Sequence, residues 1–81
     1  MKISAEISYY PLNEEYKKPI RAFIAALNEN RNLIVRTNTM ATQVFGEFDE
    51  VMETLKQCMK GAFELPHSVF VMKVINADLE N

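Results

Sequence analysis

Cysteine, histidine and glycine are scarce in this chain, and each scarcity closes off a chemistry. The one cysteine, Cys58, cannot form an internal disulfide, and a lone thiol fits a reducing, cytoplasmic setting. The one histidine is His67, so no Cys/His pair has metal-ligand spacing. Nucleophilic catalysis needs a nucleophile beside a base. Cys58 reads as a core residue of a helix and His67 as a residue at the start of a strand, so nothing brings the two together. Two glycines, Gly46 and Gly61, cannot build a glycine-rich phosphate loop. An excess of basic residues is missing as well. Nine Lys and Arg stand against 11 Asp and Glu, a net charge of −2, whereas nucleic acid and anionic membrane surfaces ask for a basic footprint. No apolar run approaches membrane-spanning length. The N-terminus lacks the basic segment and apolar core of a signal peptide. What is left is a binding or interaction domain with no cofactor and no catalytic apparatus.

The 81 residues make a single small domain over 1–81, and 48% of them are hydrophobic. A core of this size is thin, so association helps to stabilise it. The chain is organised around Leu33–Phe48, LIVRTNTMATQVFGEF, which reads as two strands of a hairpin. Its Ile, Val, Thr and Phe content suits a pleated, half-buried surface. Its middle, Thr37 to Thr42, carries no formal charge and is rich in hydroxyl and amide groups. A plain hairpin tip more often uses Gly with Asn or Asp. The cluster is either an ordinary solvated turn or the lining of a small-molecule site.

Period-two alternation runs from Lys2 to Tyr10, with Ile3, Ala5, Ile7 and Tyr9 on one face. Pro11 ends that strand. Asn13 is a candidate cap for the helix that follows. Tyr16, Ile20, Phe23, Ile24 and Leu27 then recur at helical spacing. Pro19 is tolerated only in a first turn, which sets the helix start near Glu15 or Tyr16. Strands are expected over Leu33–Asn38 and Thr42–Phe48. Gly46 inside the latter marks a bulge or a close approach, such as a helix lying over it. Asp49 is a natural N-cap for a second helix whose stripe is Val51, Met52, Leu55, Met59 and Phe63, bordered by Cys58 and Ala62. Gly61 marks its C-terminal end. His67–Asn76 is the last strand, apolar on both faces, and Asp78–Asn81 a short polar tail.

The order is β-α-β-β-α-β. Right-handed crossovers place both helices on one face of a four-stranded antiparallel sheet, an α+β, ferredoxin-like sandwich. The open face then carries Ser8, Tyr10, Gln43, Phe45, Val69, Val71, Lys73 and Ile75. That much apolar surface is a partner or ligand surface, and at least a dimer through sheet faces or strand edges is expected. Metal-carrying domains of this plan use Cys-x-x-Cys after the first strand, where this chain has Tyr10-Pro11-Leu12-Asn13. RNA-binding domains on the same plan use aromatics on the central strands within basic surroundings. Tyr10 and Phe45 imitate the first feature without the second.

Ile7-Ser8-Tyr9-Tyr10-Pro11-Leu12 resembles the first-strand signature of the YkoF-like family, whose domains bind thiamine and its hydroxymethylpyrimidine moiety. Thr37-Asn38-Thr39-Met40-Ala41-Thr42-Gln43-Val44-Phe45-Gly46 is similar to the hairpin of the broader thiamine-binding superfamily, where an acidic helix start follows, here Asp49. The resemblance spans Ile3 to about Ile75. It implies a sheet-associating, non-catalytic binder of thiamine or a pyrimidine precursor in salvage or transport. The family prototype has two tandem domains and this chain one, so it would match by dimerising. For such a ligand Ser8, Tyr10, Thr37, Asn38, Thr42 and Gln43 supply polar groups, Tyr10 or Phe45 an aromatic wall, and Glu6 or Glu47 a charge. On the competing reading the open face only builds an oligomer or docks a protein, with Phe45, Val69, Val71 and Ile75 as its core. A concave site between Tyr10 and Thr37–Thr42 separates the two.

Overall fold

The computed structural model describes residues 1–80. Its elements are β1 (Lys2–Pro11), α1 (Lys17–Asn28), β2 (Ile34–Thr37), β3 (Thr42–Glu47), α2 (Phe48–Ala62) and β4 (Ser68–Ile75). They form the expected ferredoxin-like plan, one antiparallel sheet in the order β2-β3-β1-β4. The period-two reading of β1 holds. Ile3, Ala5 and Ile7 are buried at 1–3% exposure, and the helices cover them because Phe23 and Leu27 of α1 and Val51 and Leu55 of α2 join the same cluster. Each fully buried side chain of this kind contributes roughly 1.5–3 kcal/mol of burial.

Pro19 does sit in the first turn of α1, where its missing N–H breaks no helical bond. Asn13 does not cap that helix. Its Oδ1 accepts from the Glu15 amide at 2.9 Å, closing a turn before the helix, and the N-cap is Tyr16, with no side-chain bond. Likewise Asp49 lies inside the first turn of α2 beside Glu50, and Glu47 occupies the N-cap. The carboxylates still face the positive end of the helix dipole. Phe48 belongs to α2, not to β3, and is exposed. Its backbone N–H is taken by the Met1 carbonyl at 2.9 Å, which turns the chain out of the sheet.

Gly46 answers to packing. It stays in register opposite Ile3 with no bulge, and a Cβ there would meet Leu33 Cδ2 at 2.7 Å and Val51 Cγ2 at 3.4 Å. The C-terminal segment is more than a polar tail. Ser4 Oγ donates to the Ala77 carbonyl at 2.7 Å and accepts from the Leu79 amide at 2.9 Å, and Arg36 pairs with Glu80. Residues 77–80 thus cross the open face and cover Phe45, which is only 7% exposed. Asn81, the last residue of that expected tail, lies outside the described residues. β4 keeps a bare outer edge, with Val69, Val71, Val74 and Ile75 all exposed.

Candidate functional site

β1 is ten residues long and β3 six. The ladder between them ends at Ile7↔Thr42, while β1 continues beside β4 to Pro11↔Ser68. Ser8, Tyr9 and Tyr10 therefore have no strand partner on the β3 side. A cavity of about 450 Å³ opens in that gap, between the extension of β1, the start of α1 and the 37–42 hairpin. Its volume falls in the range of small-molecule sites.

Three parts build it. The hairpin tip holds its shape without glycine. Asn38 Oδ1 accepts from the amides of Met40 at 2.8 Å and Ala41 at 3.0 Å, and the Asn38 amide donates to the Ala41 carbonyl at 3.1 Å. Such Asx turns are the usual work of Asn in loops. With both lone pairs of its oxygen occupied, the Asn38 side chain has only its Nδ2 donors to offer. The second part is Thr42 on the cavity wall, a residue mostly buried whose hydroxyl makes no hydrogen bond within the described residues and is open to solvent. The third part is apolar and aromatic. Ile7 and Phe23 are buried in the floor, while Tyr10 and Tyr16 are half exposed at the rim. Tyr9 and Phe23 are fixed there by an aromatic cluster, with ring centroids 5.5 Å apart and Phe70 stacked on Tyr9 at 4.3 Å. Tyr9 is anchored further by the 3.1 Å bond between its hydroxyl and Ser68 Oγ.

Five of the residues singled out in the sequence meet at this cavity: Ser8, Tyr10, Thr37, Asn38 and Thr42. Three do not. Gln43 and Phe45 line a separate recess of about 390 Å³ on the open face, with Ser4, Lys73 and Leu79. The alternation of β3 points them there, and the C-terminal segment lies over them. Glu47 sits at the far end of β3, where its Oε2 holds the N-terminal ammonium at 3.0 Å. Glu6, the other candidate charge, is paired with Lys73 at 3.1 Å. The lining thus contains no carboxylate, amine, imidazole or thiol. Sequence reasoning missed the contribution of α1: Tyr16, Ile20, Phe23 and Ile24 form one wall. They had the signal of a core stripe, and the first half of that stripe projects past the end of β3.

Cys58 and His67 stay apart from this cavity. Burial, and then the Glu29 carboxylate, push the Cys58 thiol above its usual range, which keeps it protonated and unreactive. Among the described residues no cluster of three His, Cys, Asp or Glu side chains has the geometry of a metal site. No helix among them is long and apolar enough to cross a membrane.

Comparison with known proteins agrees with this architecture. No curated protein matches the chain. Among solved structures, a protein of Streptococcus pneumoniae superposes with a TM-score of 0.90 at 24% identity, covering 100% of this chain and 92% of the other. A candidate thiamine biosynthesis/salvage protein of Thermotoga maritima superposes with a TM-score of 0.86 at 19% identity, covering 95% and 85%. At these identities the likeness establishes the fold. The sequence profile of the thiamine-binding protein family matches residues 5–78, nearly the whole chain. The chain is therefore a member of the thiamine-binding protein family.

Proposed function

We propose that this single-domain chain is a non-catalytic binding protein for thiamine or its hydroxymethylpyrimidine moiety, serving salvage or transport in the cytoplasm. The cavity between β1, α1 and the 37–42 hairpin is its site. The observation that carries this reading is the Thr42 hydroxyl, which makes no hydrogen bond within the described residues and is open to an uncharged, aromatic-walled cavity. An aminopyrimidine, with ring nitrogens that accept and an amine that donates, bonds such a hydroxyl for a net gain of about 0.5–1.5 kcal/mol. Asn38 Nδ2 meets an acceptor on the ligand, Ser8 and Thr42 its donor or second acceptor, and Tyr10 or Tyr16 stacks on the ring. With Glu6 and Glu47 engaged elsewhere, the thiazolium of thiamine is held at the rim by tyrosine faces, where a cation–π contact is worth about 0.5–1 kcal/mol. Membership of the family supports the ligand class.

Self-association is the second part of the reading, favoured by β4. Eight residues of unpaired edge carry exposed apolar side chains on both faces, and the one lysine, Lys73, is tied to Glu6. Edges that stay monomeric are usually protected by proline, bulges or free charge. A second copy pairing antiparallel along β4 extends the sheet from four strands to eight. Sedimentation equilibrium tests this part: a dimer that Val71→Lys converts to monomer is expected, and a monomeric native chain contradicts it. Titration calorimetry of Ser8→Ala and Thr42→Val tests the site. Each is expected to weaken binding of hydroxymethylpyrimidine several-fold, and native affinity in both removes this residue assignment.

A further inference from the structure

A second concavity is larger than the cavity just described. It is a trough of about 860 Å³ between the outer faces of α1 and α2. Its floor is Phe23 with the small side chains Ala22, Ala26 and Ala62. Its rim carries Glu29, Glu53 and Glu64, and no lysine or arginine lines it. Lys56, beside it on α2, is turned to Glu53 at 3.6 Å; among the described residues Glu29 and Glu64 have no ion pair.

Gly61 adds an independent observation. It lies in the last turn of α2, where glycine is a poorer helix former than alanine. The usual reasons for a glycine are absent. Its φ is not positive, and a Cβ would meet nothing within 4 Å. Gly46, by contrast, is crowded by Leu33. What Gly61 does is leave the trough open at its α2 wall.

We propose that the trough between α1 and α2 docks a cationic amphipathic helix of a partner protein, with its apolar face on Phe23 and the alanines and its basic flanks against Glu29, Glu53 and Glu64. The occupant follows from shape and charge. From Pro19 to Glu29 and from Glu53 to Ala62 the walls run about 15 Å at 1.5 Å per residue, room for three turns of helix. Helices pack at about 8–10 Å between axes when small residues face them, and amphipathic helices in apolar grooves are a recurrent mode of recognition. Three acidic groups with no basic residue in the lining select the sign of the partner and reject an acidic helix. The trough is separate from the small-molecule cavity, although Tyr9 and Phe23 form a wall common to both, so the two readings stand or fall independently.

Fluorescence anisotropy on the full chain tests this proposal. The probe is a labelled 14-residue helix with leucine and alanine along one face and lysines on both flanks; its twin has glutamates in place of the lysines. The lysine peptide is expected to bind saturably and to lose affinity several-fold as salt rises toward 0.3 M, while the glutamate peptide does not bind. Gly61→Phe places a ring in the trough from a position where a Cβ meets nothing within 4 Å, and it is expected to cost at least about tenfold in affinity, the equivalent of one good anchor. Gly61→Ala serves as its folded control. Glu29→Lys with Glu64→Lys abolishes binding, whereas Glu14→Lys, outside the trough, leaves it unchanged. Equal binding of the two peptides, native affinity in the Gly61→Phe and double Glu→Lys variants, or equal weakening by Glu14→Lys overturns the proposal.

Discussion

Two of this domain's concavities share a wall and differ in everything else. One lies where β3 stops and β1 continues. It is lined by hydroxyl and amide groups and tyrosines, holds no charged side chain, and keeps a threonine hydroxyl free to bond a ligand. The other lies between the helices, with an alanine-rich apolar floor and a carboxylate rim. The first suits a small, flat, polar ligand and the second an apolar surface with positive flanks. The difference arises from the chain's own architecture. Unequal strand lengths leave a polar backbone edge at one end of the sheet, and small side chains on facing helix stripes leave an unfilled seam above it.

Because Phe23 and Tyr9 divide the two, the largest effect is expected from removing the partition. Phe23→Ala should cost about 3–5 kcal/mol of stability, since Phe23 is 4% exposed and packs between Tyr9 and Phe70. It should also impair pyrimidine and peptide binding together. Urea denaturation reads the first effect, and a loss under about 1 kcal/mol shows that the wall is not structural. Thr42→Val keeps the shape of the first cavity and removes its hydroxyl. About 0.5–1.5 kcal/mol of pyrimidine affinity should go with it, while the lysine peptide binds as before.

Asn38 separates scaffold from contact. Asn38→Ala loses the acceptor that closes the hairpin tip, so stability should fall by about 0.5–1.5 kcal/mol along with affinity. Asn38→Asp keeps an acceptor for the Met40 and Ala41 amides and loses only the Nδ2 donors. It should therefore bind weakly at native stability. If Asn38→Asp binds like the native chain, Asn38 is a turn residue and no more.

The smallest effect is electrostatic and centres on Glu50, one of whose partners, Asn30, lines the helix trough. Hydrogen bonds from Asn30 and then Asn32 hold the Glu50 carboxyl below its ordinary value of 4.5. A folded-state value below the unfolded one means stabilisation that is present above that range and lost as pH falls through the folded value. Thermal midpoints measured down an acid series should show the native chain slightly above Glu50→Gln near neutrality and level with it near pH 3. A difference that persists at pH 3 contradicts this assignment.

The architecture was legible because each element wrote its period plainly. Ile3, Ala5 and Ile7 alternate, and Val51 and Leu55 recur at helical spacing. The caps were not, because Asn13 and Asp49 are good capping residues that lie three and two positions from the N-caps, Tyr16 and Glu47, and the backbone used them in a turn and a first turn. Much of the candidate cavity was legible too. The fold sets the end of β1 beside the β2–β3 hairpin, so Ser8 and Tyr10 had to meet Thr37, Asn38 and Thr42. Gln43 and Phe45 were drawn in by adjacency in sequence, but alternation turns them to the open face. Nothing local announced that Ser4 would fasten residues 77–80 across that face, or that the chain's own N-terminus would occupy Glu47. Both are contacts between sequence-distant groups, and no periodicity records them.

The central claim is that the uncharged cavity at the end of β3 reads an aminopyrimidine. Titration calorimetry of the native chain against hydroxymethylpyrimidine, and separately against the thiazole half of thiamine, tests it most directly. Saturable binding of the pyrimidine at one per chain, little changed between 0.05 and about 0.3 M salt because no charge lines the site, with no binding of the thiazole, is the predicted result. Binding of the thiazole alone, or silence with both from a folded sample, would contradict it.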